Sequence, residues 1–146
     1  MFNYTFHWHQ AFQALPQMLW GALITIEVAV ISMIFGIIFA VLIALCRLSH
    51  NRVAYGVATA WVEMARNTPA LFQIYMAHFG LGAFGIHLSP WWALLAGITF
   101  NNAGYMAETF RGALRAIPAT QTRAALSLGM GPLRAFWSVV MPQMFR

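Results

Sequence analysis

The chain has 146 residues and a formal net charge of +5, yet 61% of it is hydrophobic and only 8% is charged. Soluble domains run about half apolar and about a quarter charged, so with a mean hydropathy of +0.68 the sequence reads as an integral membrane protein. All eight basic residues are Arg, which excludes a P-loop, whose Lys reaches the nucleotide phosphates; if ATP drives this protein, another chain hydrolyses it.

Met1–Gln17 is aromatic and polar, with His7, Trp8 and His9 and no Arg. It is too polar and too poor in basic residues for a signal peptide, and is expected to lie as an amphipathic or irregular segment at the outer surface. Residues 18–45 are the first expected span, longer than the ~20 apolar residues that a ~30 Å hydrocarbon core needs. Within it Ser32, Gly36, Ala40 and Ala44 form a stripe of small residues, which lets a neighbouring helix approach closely. Glu27, about two turns below the expected start, is read as an interfacial carboxylate, with a transport site as the competing reading.

A polar turn from Arg47 to Arg52 leads to the second expected span, residues 55–79, which Glu63, Arg66, Asn67 and Pro69 interrupt. Glu63 and Arg66 are three apart, share a helix face and are expected to form a structural ion pair. Pro69 removes a backbone donor and disfavours helical geometry at Thr68. Broken helices in membranes border a cavity or a site, because freed backbone groups must find partners.

Gly80–Leu88 reads as a loop, and Ser89-Pro90 as a helix start with Ser as cap and Pro in the first turn. Trp91-Trp92 suits an interfacial aromatic belt. The third expected span, residues 90–110, carries Ala93, Gly97, Asn101 and Tyr105 on one stripe. Glu108, Arg111 and Arg115 then mark an exit from lipid, Pro118 a turn, and residues 119–129 a second, short helix. Arginines are absent before the first span and from the loop after the second, whereas two follow the first and four lie between Arg111 and Arg134. That alternation places the N-terminus outside and the short helix in the cytoplasm. Pro132–Arg146 is too short and too broken to span.

The arginines stand singly at segment ends rather than in a patch, so no nucleic-acid partner is expected. Cys46 is the single cysteine, no Cys/His cluster has zinc spacing, and His78 and His87 read as loop or interface histidines. The three carboxylates lie on different segments and no Gly-x-Ser-x-Gly occurs, so neither a catalytic site nor a metal is expected.

Four stretches carry a family resemblance. Trp61-Val-Glu63-Met-Ala-Arg66-Asn-Thr68-Pro69-Ala-Leu71-Phe-Gln73 resembles the Tyr-Val-Glu-x-x-Arg-x-Thr-Pro-x-Leu-x-Gln stretch of polar amino-acid permeases from ATP-binding-cassette (ABC) importers. Asn101-Asn-Ala-Gly-Tyr105-Met-Ala-Glu108-Thr-Phe-Arg111 is similar to that family's Asn-x-x-x-Tyr-x-Ala-Glu-x-x-Arg segment, and Gln121-Thr-Arg123-Ala124-Ala125-Leu-Ser-Leu128-Gly129 to its Gln-x-Glu-Ala-Ala-x-x-Leu-Gly coupling loop. Met141-Pro142-Gln143-Met144-Phe145-Arg146 resembles the Leu-Pro-Gln-Ala-x-Arg that follows.

The resemblance implies an all-α, polytopic membrane domain of the type I, MetI-like importer fold, multi-pass in the bacterial inner membrane. It implies a second permease subunit in a homo- or heterodimer, a dimer of ATP-binding subunits and an extracytoplasmic substrate-binding protein. ATP and magnesium would sit on the ATPase, with no cofactor in this chain. Gln121, Arg123, Ala124, Ala125, Leu128 and Gly129 would couple to that ATPase, while Thr68, Pro69, Gln73 and Asn101 would border the amino acid's path. The competing reading of Gln73 and Asn101 is that they join helices to one another.

Two departures stand out. Arg123 occupies the family's Glu position, and Thr120 replaces its Gly. The resembling permeases also continue with two more spans, so the chain is expected to be a fragment or a truncated product. Other readings are a non-transporting scaffold that docks an ATPase and a half-unit of a channel or secondary transporter.

Overall fold

A computed structural model describes residues 8–144, which form helices and connecting turns with no strand among them. Met1–His7 of the N-terminal reading, and Phe145 and Arg146 of the closing motif, lie outside the described residues.

Helix α1 runs unbroken over Trp8–Leu48, 41 residues. The stretch up to Gln17, expected to be amphipathic or irregular, is thus helical from Trp8 onward and continuous with the first expected span. Its Gln, Ala and Leu residues are good helix formers, the Gln13 amide and a His9 ring nitrogen stand 3.0 Å apart one turn away, and Pro16 is accommodated inside the helix. Glu27 therefore lies in the interior of α1, with helix on both sides of it.

Helix α2 (Arg52–Asn67) begins at Asn51, whose side-chain oxygen accepts from the Val53 and Ala54 N–H groups at 2.9 and 3.3 Å. This satisfies two of the four unpaired donors at a helix start. Thr68 and Pro69 are extended, with ψ of 140° and 138°. Helix α3 (Ala70–Tyr75) then widens into a π turn over Met76–Gly80 and tightens into a 3-10 turn over Leu81–Phe84, where Gly85 at φ 82° ends it.

Helix α4 (Pro90–Ala116) has Pro in its first turn, as expected, but Ser89 at the cap position makes no side-chain cap bond. Ile117 and Pro118 are extended, and α5 (Ala119–Ser127) follows. Helix α6 (Pro132–Ala135), a π turn (Phe136–Val140) and α7 (Met141–Met144) close the described chain.

Packing centres on α4, which lies against α1 on one side and α2 and α3 on the other. Small residues make this possible. Ser32, Gly36 and Ala40 of the α1 stripe are buried, and a Cβ on Gly36 would stand 2.9 Å from that of Asn102. On α4's other side, a Cβ on Gly97 would stand 2.9 Å from the Ile74 backbone, and one on Gly104 only 2.3 Å from the Ala65 Cβ. The core they enclose is correspondingly small-residued: Ala40, Ile43, Ala58, Val62, Ala103 and Ala107. Trp61 stacks on Phe100 and Phe39, with centroids 4.7 and 6.3 Å away, which ties all three helices together beside that core.

Among the described residues, α1 alone is both long and apolar enough to cross a membrane by itself. The break divides α2 from α3, and α4 carries Thr99, Asn101 and Asn102 within its apolar run.

Gly104 and Gly112 make a matched test on one helix. Gly104→Ala should lower the thermal midpoint of the purified protein, equivalent to about 1–3 kcal/mol for an over-packed contact. Gly112→Ala enters open space and should raise it slightly, since Ala stabilises a helix interior by about 0.8–1 kcal/mol over Gly. Equal effects in a melting curve would contradict the packing described.

Candidate functional site

Ending α2 at Pro69 leaves its last carbonyls without intrahelical donors, a cost that must be met by side chains in any water-poor setting. The Met64 carbonyl accepts from the Thr68 hydroxyl at 2.6 Å. The Ala65 carbonyl accepts from two amides, Gln73 Nε2 and Asn101 Nδ2, each at 3.0 Å. The Arg66 carbonyl accepts from the Tyr105 hydroxyl at 3.4 Å. Gln73 Nε2 also lies 3.2 Å from the Thr68 carbonyl and 2.8 Å from its hydroxyl oxygen, so its two hydrogens serve three acceptors.

Thr68, Pro69, Gln73 and Asn101 are therefore brought together at the break. The amide donors of Gln73 and Asn101 hold the broken helix end, so helix joining is what these side chains do in this structure. The side-chain oxygen of Gln73 is buried and accepts no bond. A buried acceptor left unpaired costs about 1–3 kcal/mol, which makes this atom the open hydrogen-bonding position of the break.

The expected ion pair between Glu63 and Arg66 does not form. Glu63 instead accepts from Asn67 Nδ2 at 2.8 Å, one turn along the same exposed face. Arg66 reaches across to α4, 3.8 Å from Glu108 Oε1, with its guanidinium carbon 6.0 Å from the centre of the Tyr105 ring. An exposed pair three residues apart on a helix is worth only a few tenths of a kcal/mol, too little to hold Arg66 when a half-buried carboxylate and an aromatic face are within reach.

Glu108 is the electrostatic hub. Arg47 Nη1 of α1 donates to it at 2.7 Å, and Arg111 engages both its oxygens through Nε, at 2.8 Å, and Nη2. The side chains of Arg47 and Glu108 are only 12% and 21% exposed. One carboxylate thus gathers arginines from α1, α2 and α4, a convergence that the sequence reading missed. The spacing of Glu108 and Arg111 is the same as that of Glu63 and Arg66, but nothing local says that Arg47 and Arg66 come too.

Beyond α4, α5 forms a compact projection. It ends in a reciprocal cap in which Met130 N–H donates to the Ala125 carbonyl at 3.2 Å and Gly129 N–H to Leu126 at 3.0 Å. This arrangement needs a left-handed residue after the helix, and Gly129 supplies it at φ 82°. The helix proper stops at Ser127, with Leu128 and Gly129 serving as its cap. Inward, Ala125 is buried, and Gln121 accepts from Gln143 Nε2, which also donates to the Val139 carbonyl at 2.7 Å. Outward stand Arg123, Ala124, Leu126 and Leu128, the last 81% exposed. Of the six residues assigned to coupling, Gln121 and Ala125 thus seat the helix, and Gly129 ends it.

Residues 32–146 match the family described as "Binding-protein-dependent transport system inner membrane component". The chain belongs to this family. It is 30% identical to the arginine transport system permease protein ArtQ of Bacillus subtilis (strain 168), over 90% of this chain and 61% of that protein. It is 35% identical to the octopine transport system permease protein OccM of Rhizobium radiobacter, over 99% of this chain and 61% of that protein. A crystal structure of an amino acid ABC transporter with histidines superposes with a TM-score of 0.87 at 27% identity, covering 97% of this chain and 66% of that one. The chain therefore spans about three fifths of the length of these curated relatives. Membership bears out the resemblance carried by the four motifs and the all-α importer fold, and it places the chain among multi-pass inner-membrane components.

Glu108→Gln should lower stability by about 2–3 kcal/mol, somewhat less than the 3–5 typical of a fully buried pair because the site is partly exposed. In a double-mutant cycle read by thermal melting, Arg47→Gln should cost less in the Glu108→Gln background than alone. Additive losses would remove Glu108 as the hub.

Proposed function

We infer that this chain is the membrane-spanning permease part of an ATP-driven amino-acid importer, lining the translocation path and coupling it to a cytoplasmic ATPase. The observation that carries this reading is the seated α5 projection, whose outward face offers Leu126 and Leu128 beside Arg123. Leu128, 81% exposed at a capped tip, offers a partner apolar surface to bury.

In this proposal α1, the broken α2–α3 pair and α4 are three spans. Glu27 and Arg47 lie 20 residues apart on α1, about 30 Å at 1.5 Å per residue, which matches the hydrocarbon thickness. Glu27 is then the outer interfacial carboxylate, Arg47 the inner boundary, and the N-terminus is extracytoplasmic. The polar residues of α4 are tolerated because its neighbours receive their hydrogen bonds. The partners are a dimer of ATP-binding subunits carrying ATP and magnesium, a second permease subunit and an extracytoplasmic substrate-binding protein; the amino-acid class follows from what the relatives are named for.

Closure of the ATPase dimer would pull α5, and the Gln121–Gln143 bond together with the α4 C-terminus would pass that movement to the Glu108 hub. The ATPase must bind the outward- and inward-facing arrangements with different affinity, since only differential binding shifts the equilibrium. Along the path, the free oxygen of Gln73 would accept from a substrate's ammonium group while Thr68, Pro69 and Asn101 hold the break open.

Leu128→Ala should weaken binding of the cognate ATPase by about tenfold, the loss expected when a leucine that would be buried is truncated. Binding assays on the reconstituted pair measure this, and an unchanged affinity would remove α5 as the handle. Gln73→Ala in the complete transporter should lower substrate uptake while ATPase association survives; equal uptake would take Gln73 off the path. Co-purification of an ATPase with no substrate-stimulated hydrolysis would instead mark a docking scaffold.

A further inference from the structure

Between the C-terminal turn of α1, α2 and α4 lies a cavity of about 250 Å³ bordered by Arg47, Arg111, Arg115 and Tyr55. Glu108 sits beside it and engages Arg47 and Arg111. Arg115 forms no ion pair among the described residues, and Arg47 Nε is buried without an acceptor. Three guanidinium groups at the cavity against one carboxylate leave an excess of two positive charges and several unused donors. A cation is excluded by that charge, while a phosphate, with its several acceptor oxygens, meets both needs.

The cavity is not purely polar. Ala44, Leu48 and Leu114 form its remaining wall, and the same three residues begin a second groove of about 360 Å³. That groove runs along α1 past Val41 to Ile37 and is bordered on its other sides by Phe110 of α4 and by Phe136, Trp137, Met141 and Met144 of the closing helices. Its lining is entirely apolar among the residues that border it. A charged cavity and an apolar groove thus adjoin, with Ala44, Leu48 and Leu114 as the wall they share. A free anion would occupy the cavity alone, whereas a lipid would use the cavity and the groove together.

We propose that the Arg47–Arg111–Arg115 cavity and the adjoining α1–α4 groove bind one anionic phospholipid of the arginine-side leaflet, headgroup phosphate on the guanidinium groups and an acyl chain along the groove. Basic pockets between membrane helices suit such headgroups, and Tyr55 stands where aromatic rings meet the headgroup level. The proposal rests on α1 being a span, and on neither the ATPase nor the substrate. The lipid would occupy the corner where α1, α2 and α4 are joined by Glu108, bracing the same junction from outside.

The test uses the purified chain in detergent micelles with equimolar phosphatidylglycerol and phosphatidylcholine of matched chain length, with retained lipid counted by native mass spectrometry. Phosphatidylglycerol should be retained in preference, and Arg115→Gln should cut that preference about fivefold, the effect of one basic contact near a lipid surface. Arg115 is exposed and unpaired, so this variant leaves the Glu108 hub intact. Equal retention of the two lipids, or an unchanged preference in Arg115→Gln, would overturn the proposal. So would complete displacement by millimolar inorganic phosphate, which would mark a site for a free anion, or equal retention of dihexanoyl-phosphatidylglycerol, which would leave the groove without a role. Carbonate extraction of the source membranes separates the two readings: release of the chain would remove the span on which the importer reading also depends, whereas retention without lipid preference defeats the lipid site alone.

Discussion

A proline inside an otherwise apolar segment frees backbone carbonyls, and in a medium without water those carbonyls need donors from the protein itself. Pro69 sets this requirement, and the Ala65 carbonyl, receiving Gln73 and Asn101 together, is where it is met. Asn101 can reach only because α4 lies almost in backbone contact with α2 and α3, and that closeness depends on Gly97 and Gly104. Motif residues and packing residues are thus parts of one arrangement. The glycines permit the approach, the amides use it, and the proline makes it necessary.

About two turns farther along α4, at Glu108, the contacts are made by charge rather than by backbone repair. Glu108 draws Arg47 and Arg111 into contact and Arg66 to 3.8 Å, so the C-terminal turns of α1 and α2 are held at one point on α4. From there α4 continues to Ala116 and hands over to α5 through two extended residues. A rigid helix between the hub and the projection is the mechanical element any coupling needs. The Gln121–Gln143 bond keeps α5 from swinging as a free loop.

Much of this was legible beforehand where the chemistry is local. The break at Thr68-Pro69, the restart after Pro118, the glycine stop at 129 and the small-residue stripe of α1 each follow from properties of a few consecutive or helically spaced residues. Spacing misled where it stood in for distance. Glu63 and Arg66 share a face, yet each has a different partner, because an exposed local pair is too weak to compete with Glu108 and the Tyr105 ring. The polar start of the chain suggested an amphipathic or irregular segment of its own, but from Trp8 onward its residues extend α1.

The amino-acid sequence alone determined that the chain is helical and membrane-bound, where its helices break and stop, and which family it resembles. Those properties are written in composition, in the backbone limits of proline and glycine, and in motifs a few residues long. Only the tertiary structure decided which donor reaches the Ala65 carbonyl, which carboxylate collects the arginines, and which faces of α5 are seated or free. Several residues of identical chemistry compete for each of those roles, and the winner is chosen by a few ångströms of helix approach that no stretch of sequence contains by itself.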